Sequence, residues 1–230
     1  TDDAAPQVPL EAFHQTARAT GVKVGEQLRP QVRDAIEHLA NGILRRDPDL
    51  VDALAGNPEA ARAFYRDVLR TVYRMLFLLF AEQRGLIPKA SAPQKDVYWD
   101  DYSLTALRER AEAGVPSRDD YTDLWHGLQV TFRMVREGVE ALGVFGYNGE
   151  LFDPSSDTYL HPKHKRGCDN TRLLKAVRAL TLIEADGVLQ RISYVDLGVE
   201  ELGSVYESLL DFTPRVPEAA ETVDDREIPA

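Results

Sequence analysis

The stretch NPEAARAFYRDVLRTVYRMLFLLFAEQRG, residues 57–85, decides the fold. It opens with Asn57 and Pro58, residue types that favour the cap and the first position of a helix, and it closes at Gly85, which favours a helix end. Its first half carries apolar residues on one stripe, whereas the run MLFLLFA, residues 75–81, is apolar on every side. A helix of this kind must be buried centrally, so we predict that it forms the middle of a helical domain.

Outward from this helix, helical spacing of apolar residues recurs along the chain. Further helices are expected before Arg46 and near 103–113, 121–142, 169–182 and 199–212. Residues 143–167 are rich in glycine and proline, which favour turns and disfavour helix. The sequence therefore predicts a mainly α fold, a helical domain of about six or seven helices with one irregular loop or short hairpin near 143–167.

The composition divides the chain into three segments. Residues 1–9 contain two prolines and no periodicity, so we expect a flexible arm, followed by the helical domain at 10–212. Residues 213–230 are acidic and poor in apolar side chains. We interpret them as an acidic linker toward a catalytic domain that is absent from this sequence.

The overall composition is that of a soluble globular protein, with 43% hydrophobic and 28% charged residues. Cys168 is the only cysteine and the longest apolar run covers seven residues, so we expect a cytoplasmic location and no membrane insertion. The net charge of −11 argues against a strongly basic nucleic-acid binder, yet residues 183–230 alone hold twelve acids and three bases. Residues 1–182 carry a net charge of only −2, which leaves room for a local basic surface.

Motifs for nucleotide chemistry are missing from the sequence. No two glycines stand two positions apart, no glycine precedes a lysine, and no two prolines are adjacent. The glycine-rich turns that approach a methyl-donor nucleotide, and the Asn-Pro-Pro-aromatic loop of amino-methyltransferases, are therefore not encoded. No lysine has an acid two residues before it, so the acid-x-Lys end of a magnesium nuclease site is missing as well. We expect no catalytic and no cofactor-binding residue in this chain.

One group of residues has a spacing compatible with zinc binding. His161, His164 and Cys168 are separated by two and three residues, as zinc ligands often are. Lys163 and Lys165 lie between them and would oppose a dication. We therefore expect no metal site, and a small zinc enzyme built on these three side chains remains an alternative.

Two basic features stand out. Four arginines repeat every fourth position along the central helix, on one slowly drifting stripe that either follows phosphates or forms a solvated, ion-paired face. A second basic set lies on a loop and the helix that follows it, between residues 161 and 178, where it either contacts a nucleic-acid backbone or forms ordinary surface. The resulting DNA-backbone candidates are Lys163, Lys165, Arg166, Arg172, Lys175, Arg62, Arg66, Arg70 and Arg74.

Three phrases resemble, in order and spacing, the helical segment just ahead of the catalytic domain in large adenine-specific DNA methyltransferases. They are YRMLFLLFAEQRGLIP at 73–88, YNGELFD at 147–153 and ISYVDLGVEELGSVYESLLDFTP at 192–214. The family includes type IIG and IIL restriction-modification enzymes and the PglX-like and DISARM-like methyltransferases of phage defence. The phrase LGSVYESLL is the most specific, and the resemblance extends over most of residues 60–214.

The resemblance implies that a longer parent protein transfers a methyl group from S-adenosylmethionine to adenine N6, or restricts foreign DNA, with this chain as its helical module. It implies double-stranded DNA, the parent's own C-terminal methyltransferase domain and other defence-system subunits as partners. S-adenosylmethionine is then a cofactor of the parent and not of this chain. No catalytic residue is carried over.

The last of the three phrases suggests which residues would pack against the catalytic domain. These interdomain packing candidates are Leu202, Gly203, Tyr206, Glu207 and Leu210. The same residues could instead close the core of this domain. A stand-alone, non-enzymatic helical interaction protein, which docks its acidic tail on a basic partner, is the alternative function that the sequence leaves open.

Overall fold

The structure is a computed structural model, and it describes residues 28–87, 97–147, 149–185, 188–195 and 197–210. Over these residues the protein is mainly helical with one small sheet, which confirms the predicted fold class. The expected arm at 1–9, the first part of the expected domain at 10–27 and the expected acidic linker at 213–230 lie outside the described residues.

Seven α-helices and one two-stranded sheet lie within the described ranges. In chain order they are α1 (28–44), α2 (Pro48–Leu54), α3 (Pro58–Gln83), α4 (Leu104–Ala113), α5 (Asp123–Glu137), α6 (Asn170–Thr181), β1 (Leu182–Ala185), β2 (Val188–Arg191) and α7 (Val199–Leu210). A π-helical turn, Tyr98–Tyr102, precedes α4, and short 3₁₀ turns occur between α5 and α6. Helices α2, α4 and α7 all contact α3.

Helix α3 forms as its sequence predicts. The Asn57 side chain accepts a hydrogen bond from the Ala60 N–H at 3.1 Å, and Pro58 occupies the first helical position, where its missing N–H costs nothing. Gly85 follows the end of the helix with φ of +67°, a conformation that favours glycine. In the run 75–81 every side chain is buried except that of Phe77, which is half-buried. The helix therefore lies at the centre of the core.

The irregular loop expected near 143–167 is confirmed, and the one hairpin of the described residues lies after it. Strands β1 and β2 pair antiparallel with Leu182 opposite Arg191 and Ala185 opposite Val188. The region 143–167 instead consists of 3₁₀ turns and extended segments, with one isolated bridge between Val139 and Val144 at its start. Turn-forming residues mark both regions, and the strands at 182–191 are too short to show a clear alternation.

A buried carboxylate on α3 fixes the start of α4. Glu82 accepts hydrogen bonds from the N–H groups of Leu104 and Thr105 at 2.8 and 2.9 Å, and from the Tyr98 hydroxyl at 3.0 Å. These backbone N–H groups lack partners inside α4, because the first turn of a helix leaves its donors unpaired. Burial raises the pKa of Glu82, against the effect of these donors. The central helix thereby orients the next one through a polar contact inside the core.

The end of α1 lies close to the start of α6 at Gly42. A methyl group on this residue would lie 2.3 Å from the Cys168 Sγ and 2.8 Å from the Arg172 Cβ. Both distances are well below van der Waals contact, so the two helices depend on the missing side chain. The contact also positions the N-terminal end of α6 against the end of α1.

We expect Gly42→Ala to lower the free energy of unfolding by about 1–3 kcal/mol, because the added methyl group overpacks the contact with Cys168. The matched control is Gly127→Ala, since Gly127 also lies within a helix but has open space around its Cα. That substitution should leave stability unchanged or raise it by up to about 1 kcal/mol, as alanine favours helix. Chemical denaturation of the two variants measures both values, and equal stability of the two would contradict the close approach.

Candidate nucleic-acid interface

The four-arginine stripe of α3 divides into an exposed half and a buried half. Arg62 and Arg66 are exposed, whereas Arg70 is half-buried and the side chain of Arg74 is only 4% exposed. The stripe drifts around the helix because four residues exceed one turn of 3.6. Arg74 is therefore corrected as a DNA-backbone candidate, since it faces the core rather than a phosphate.

Arg70 and Arg74 both bind the same carboxylate. Asp157 accepts from Arg70 at 2.6 Å through one oxygen and from Arg74 at 2.8 Å through the other. Arg74 also donates to the backbone carbonyls of Leu151 at 2.6 Å and Asp153 at 3.3 Å. These bonds tie the irregular region 143–167 to the central helix, so the role of this pair in the structure is architectural.

A second buried carboxylate on α3 holds the same region. One oxygen of Asp67 accepts from three consecutive backbone N–H groups, those of Thr158, Tyr159 and Leu160, at 2.8, 2.5 and 3.0 Å. Burial raises the pKa of Asp67, and the backbone donors oppose that rise. Together with Arg70 and Arg74, Asp67 therefore fixes the path along which the loop after Asp157 crosses α3.

The second basic set, between residues 161 and 178, follows this loop, and part of it lies at the surface. Lys163 and Lys165 are exposed on and after the 3₁₀ turn Pro162–His164, and Lys165 has a left-handed backbone conformation with φ of 52°. Arg166 is half-buried, and its guanidinium binds Asp47 at 2.6 Å and the Tyr159 carbonyl at 3.1 Å. The two lysines are thus the most exposed cations of this set.

The candidates on α6 are less exposed. Arg172 and Lys175 are half-buried, and the backbone N–H of Arg172 is capped by Asp169 at 2.8 Å. Arg178, further along the helix, donates to the Ala111 carbonyl at the end of α4 at 3.1 Å. Contact of Arg172 or Lys175 with a phosphate stays a prediction, and the exposed charge of this set is concentrated before the helix.

The structure adds three basic residues that sequence reasoning missed. Arg45 and Arg46 follow α1, and Arg46 donates to the Asp120 carbonyl at 2.5 Å. Arg118 donates to the Asp120 carboxylate at 2.7 Å, which lowers the pKa of that carboxyl, and Arg45 and Arg46 add to the effect. Asp47, next to Arg46, carries the ion pair to Arg166. Three segments that are far apart in sequence therefore meet at one place.

We call this surface the basic junction. It consists of Arg45, Arg46, Arg118, Lys163, Lys165 and Arg166. The signal that could have found the first two is the Arg45-Arg46 pair just after a predicted helix, but no local pattern places that pair beside residue 166. The junction thus combines two exposed lysines with Arg46, Arg118 and Arg166, whose side chains are held by backbone and carboxylate contacts.

The three candidate zinc ligands are separated by burial. Cys168 is fully buried in the core, and burial raises the pKa of its thiol, whereas His164 is exposed. His161 accepts a hydrogen bond from the Lys163 N–H through Nδ1 at 3.1 Å. Within the described ranges, no group of three or more histidine, cysteine, aspartate or glutamate side chains is arranged to hold a metal.

The interdomain packing candidates lie on different sides of helix α7. Leu202 is buried in the core of this chain, which corrects its assignment to an interdomain contact, and the Tyr65 hydroxyl of α3 donates to the Leu209 carbonyl at 2.9 Å. Glu207 is exposed, Leu210 is 45% exposed, and a side chain added at Gly203 would meet open space. These three residues share one helical face, which is at least partly exposed among the described residues. Tyr206 belongs to α7, but its side chain lies outside what the structure describes.

The three phrases behind the family resemblance lie side by side. The Phe77 ring of α3 packs edge-on against Tyr147 and Phe152, at centroid distances of 5.7 and 5.5 Å. The Tyr147 hydroxyl also donates to the Leu86 carbonyl at 3.0 Å. These contacts join the first phrase to the second.

The third phrase reaches the end of α3 through two hydrogen bonds. The Tyr194 N–H donates to the Gln83 side chain at 2.8 Å, and Arg84 donates to the Leu197 carbonyl at 3.1 Å. The Tyr194 side chain is itself fully buried. All three phrases therefore belong to one packed unit around the C-terminal half of α3.

Comparisons with known proteins found no match for this chain among family models, curated proteins or solved structures. No helix within the described ranges is both long and apolar enough to cross a membrane.

The buried ion pair makes a testable distinction between the arginines of α3. Arg74→Met should lower the free energy of unfolding by about 3 kcal/mol or more, because it leaves Asp157 buried with one partner fewer. Arg66→Met, on the exposed side of the same helix, should change stability by no more than about 0.5 kcal/mol. Urea denaturation of both variants supplies the comparison, and a similar small loss in both would show that Arg74 is not held as described.

Proposed function

We propose that this chain is the helical spacer and DNA-facing module of an adenine-N6 DNA methyltransferase of restriction-modification or phage defence, whose catalytic domain lies outside the chain. The observation that carries the proposal is the meeting of the three phrases, at 73–88, 147–153 and 192–214, around one helix end. Segments that share a role within one family are expected to form one structural unit. Here they supply the contacts that position α7.

The exposed face of α7 supports a docking role for this helix. Its inner side packs through Leu202, Val205 and Leu209, which are buried. Its outer side presents Gly203, Glu207 and Leu210, where another domain can approach closely over the glycine. The catalytic domain of the parent is the partner we assign to this face. The methyl transfer from S-adenosylmethionine belongs to that domain.

The basic junction supports the DNA-facing role. Phosphate contacts from lysine and arginine supply sequence-independent affinity and position a protein on the duplex. Lys163, Lys165 and Arg45 are exposed and have no carboxylate bonded to them among the described residues, so their charge is available. Charges more than about 8 Å apart are largely screened at physiological salt, so the net charge of the whole chain does not by itself decide the charge of this surface.

The proposal predicts the sequence that follows this chain in its gene. The reading frame beyond Ala230 should encode, within roughly the next hundred codons or somewhat more, a glycine-rich methyl-donor motif and then an Asn-Pro-Pro-aromatic motif. Sequencing of the gene tests this directly. A stop codon directly after Ala230, together with a specific protein partner in a pull-down, would favour the stand-alone interaction protein instead.

The DNA contact is tested by charge reversal. Lys163→Glu combined with Lys165→Glu should weaken binding to a fluorescein-labelled 20-base-pair duplex, equally for unrelated sequences, because phosphate contacts carry no sequence information. Removal of each phosphate contact should reduce the slope of log K against log salt by about 0.9. Fluorescence anisotropy of the full chain between low and physiological salt measures affinity and slope together.

The matched control is Arg110→Glu combined with Arg133→Glu, which makes the same change in net charge on exposed residues. Arg110 lies next to Ala111, the residue of α4 whose carbonyl binds Arg178. Arg178 is about 12 Å along α6 from the start of that helix, which lies at the junction. This control should leave affinity and slope nearly unchanged. No binding by the unaltered chain at low salt, or equal losses in the two double variants, would contradict a DNA-facing junction.

A further inference from the structure

The most exposed of the large hydrophobic side chains in the described ranges lies at the basic junction. Tyr121 is 78% exposed, compared with 64% for Phe145 and smaller fractions for the exposed aliphatic residues. Its backbone is nevertheless fixed on both sides. The Tyr121 N–H donates to Asp119 at 3.1 Å, and its carbonyl accepts from the Asn170 N–H at 2.8 Å. The ring therefore stands in solvent on a rigid support.

The residues around Tyr121 connect it to all three segments of the junction. Asp120, directly before it, accepts from Arg46 through its carbonyl and from Arg118 through its carboxylate. On the other side, the Trp125 indole donates to the Arg166 carbonyl at 3.0 Å. Tyr121 therefore lies between the arginines after α1 and the loop that carries Lys163 and Lys165.

Two of the acids at this place form ion pairs with arginines. Asp47 binds Arg166 and caps α2, Asp120 binds Arg118, and Asp119 accepts from Tyr121 and from the Asn170 side chain at 3.1 Å. The hydrogen bond that Arg46 donates goes to an uncharged carbonyl. Asp119 and Asp123, each two residues from Tyr121, accept from neutral groups and keep their charge, so Arg45, Arg46 and the two lysines supply four positive charges against these two.

We propose that the basic junction binds single-stranded DNA, with the Tyr121 ring stacked on an unpaired base and Arg45, Arg46, Lys163 and Lys165 on the flanking phosphates. An exposed aromatic ring on a fixed backbone, with cations on the neighbouring segments, suits this ligand, since every base offers a π face and the phosphates lie on either side of it. A duplex keeps its bases stacked on one another and would leave the ring unused. This inference rests on the proposed function, in which the same lysines contact duplex phosphates, and adds a single-stranded ligand for the Tyr121 ring.

The test compares Tyr121→Ala with Tyr121→Phe in the full chain, using a fluorescein-labelled 15-nucleotide oligothymidine. Tyr121→Ala should weaken binding about tenfold, the size expected for the removal of one base stack, and should leave the salt slope unchanged because every phosphate contact is kept. Tyr121→Phe keeps the ring and should bind within about twofold of the unaltered chain. Thermal unfolding of the variants should be unchanged, since the ring is exposed.

Phe145→Ala is the matched control, because Phe145 is also a strongly exposed aromatic residue. It lies beyond the C-terminal end of α5, whereas Tyr121 precedes the N-terminal end of this helix, about 22 Å away along the axis. Its removal should leave oligothymidine binding unchanged. An equal loss of affinity in both alanine variants would overturn the stacking role, as it would reflect general surface hydrophobicity.

Polyglutamate as a competitor distinguishes an acidic protein partner. The proposal is wrong, and the junction is only a charged surface, if two results occur together. Polyglutamate displaces the oligonucleotide at equal charge concentration, and Tyr121→Ala changes the affinity for neither polyglutamate nor oligothymidine. If Tyr121→Ala leaves the affinity for oligothymidine unchanged but the affinity for the duplex still depends on Lys163 and Lys165, the stacking is wrong and the proposed DNA-facing function stands. If neither form of DNA binds, both are wrong.

Discussion

The structure depends on the ion pair between Arg74 and Asp157 inside the core. Arg74 lies in the middle of the central helix, among buried apolar side chains, where an unpaired guanidinium would be prohibitively costly. The carboxylate that neutralises it comes from 83 residues further along, so the pair can form only if the whole region after α5 crosses α3. Asp67 and Glu82 act in the same way on the loop after Asp157 and on the start of α4. Three charged residues on one helix thus specify the paths of segments that have little regular structure of their own.

Side-chain partners explain why these irregular paths are also stable. Irregular chain cannot satisfy its backbone groups through repeated helix or sheet bonds, so it needs side-chain partners wherever it is buried. Asp67 satisfies three backbone groups and Arg74 satisfies two, while Phe77, Phe132 and Phe152 pack their rings in the same place. Hydrophobic burial supplies the driving force here and the polar contacts select one arrangement.

Sequence patterns predict the helices well because their signals are local. Asn57, Pro58 and Gly85 mark the limits of α3 within a few residues, and the all-round apolar run identifies its buried half. The arginine stripe shows the limit of such reasoning. A spacing of four rotates each arginine about 40° around the helix from the one before, so Arg62 and Arg74 lie about 120° apart, but the spacing alone does not say which of the two faces the core. The basic junction is partly predictable for the same reason: Lys163 and Lys165 lie in one charged segment, whereas Arg45 and Arg46 reach them only through the pairing of Asp47 with Arg166.

The junction also shows why the net charge of a chain is a poor guide to its surfaces. The value of −11 comes largely from residues 183–230, and long-range attraction or repulsion from that end is screened by salt over about 8 Å. The local charge of the junction depends instead on which of the nearby acids form ion pairs. Asp47 and Asp120 each neutralise one arginine and, in doing so, hold the three segments together. The same acids that lower the charge of the surface therefore also fix its shape, beside the exposed Tyr121 ring.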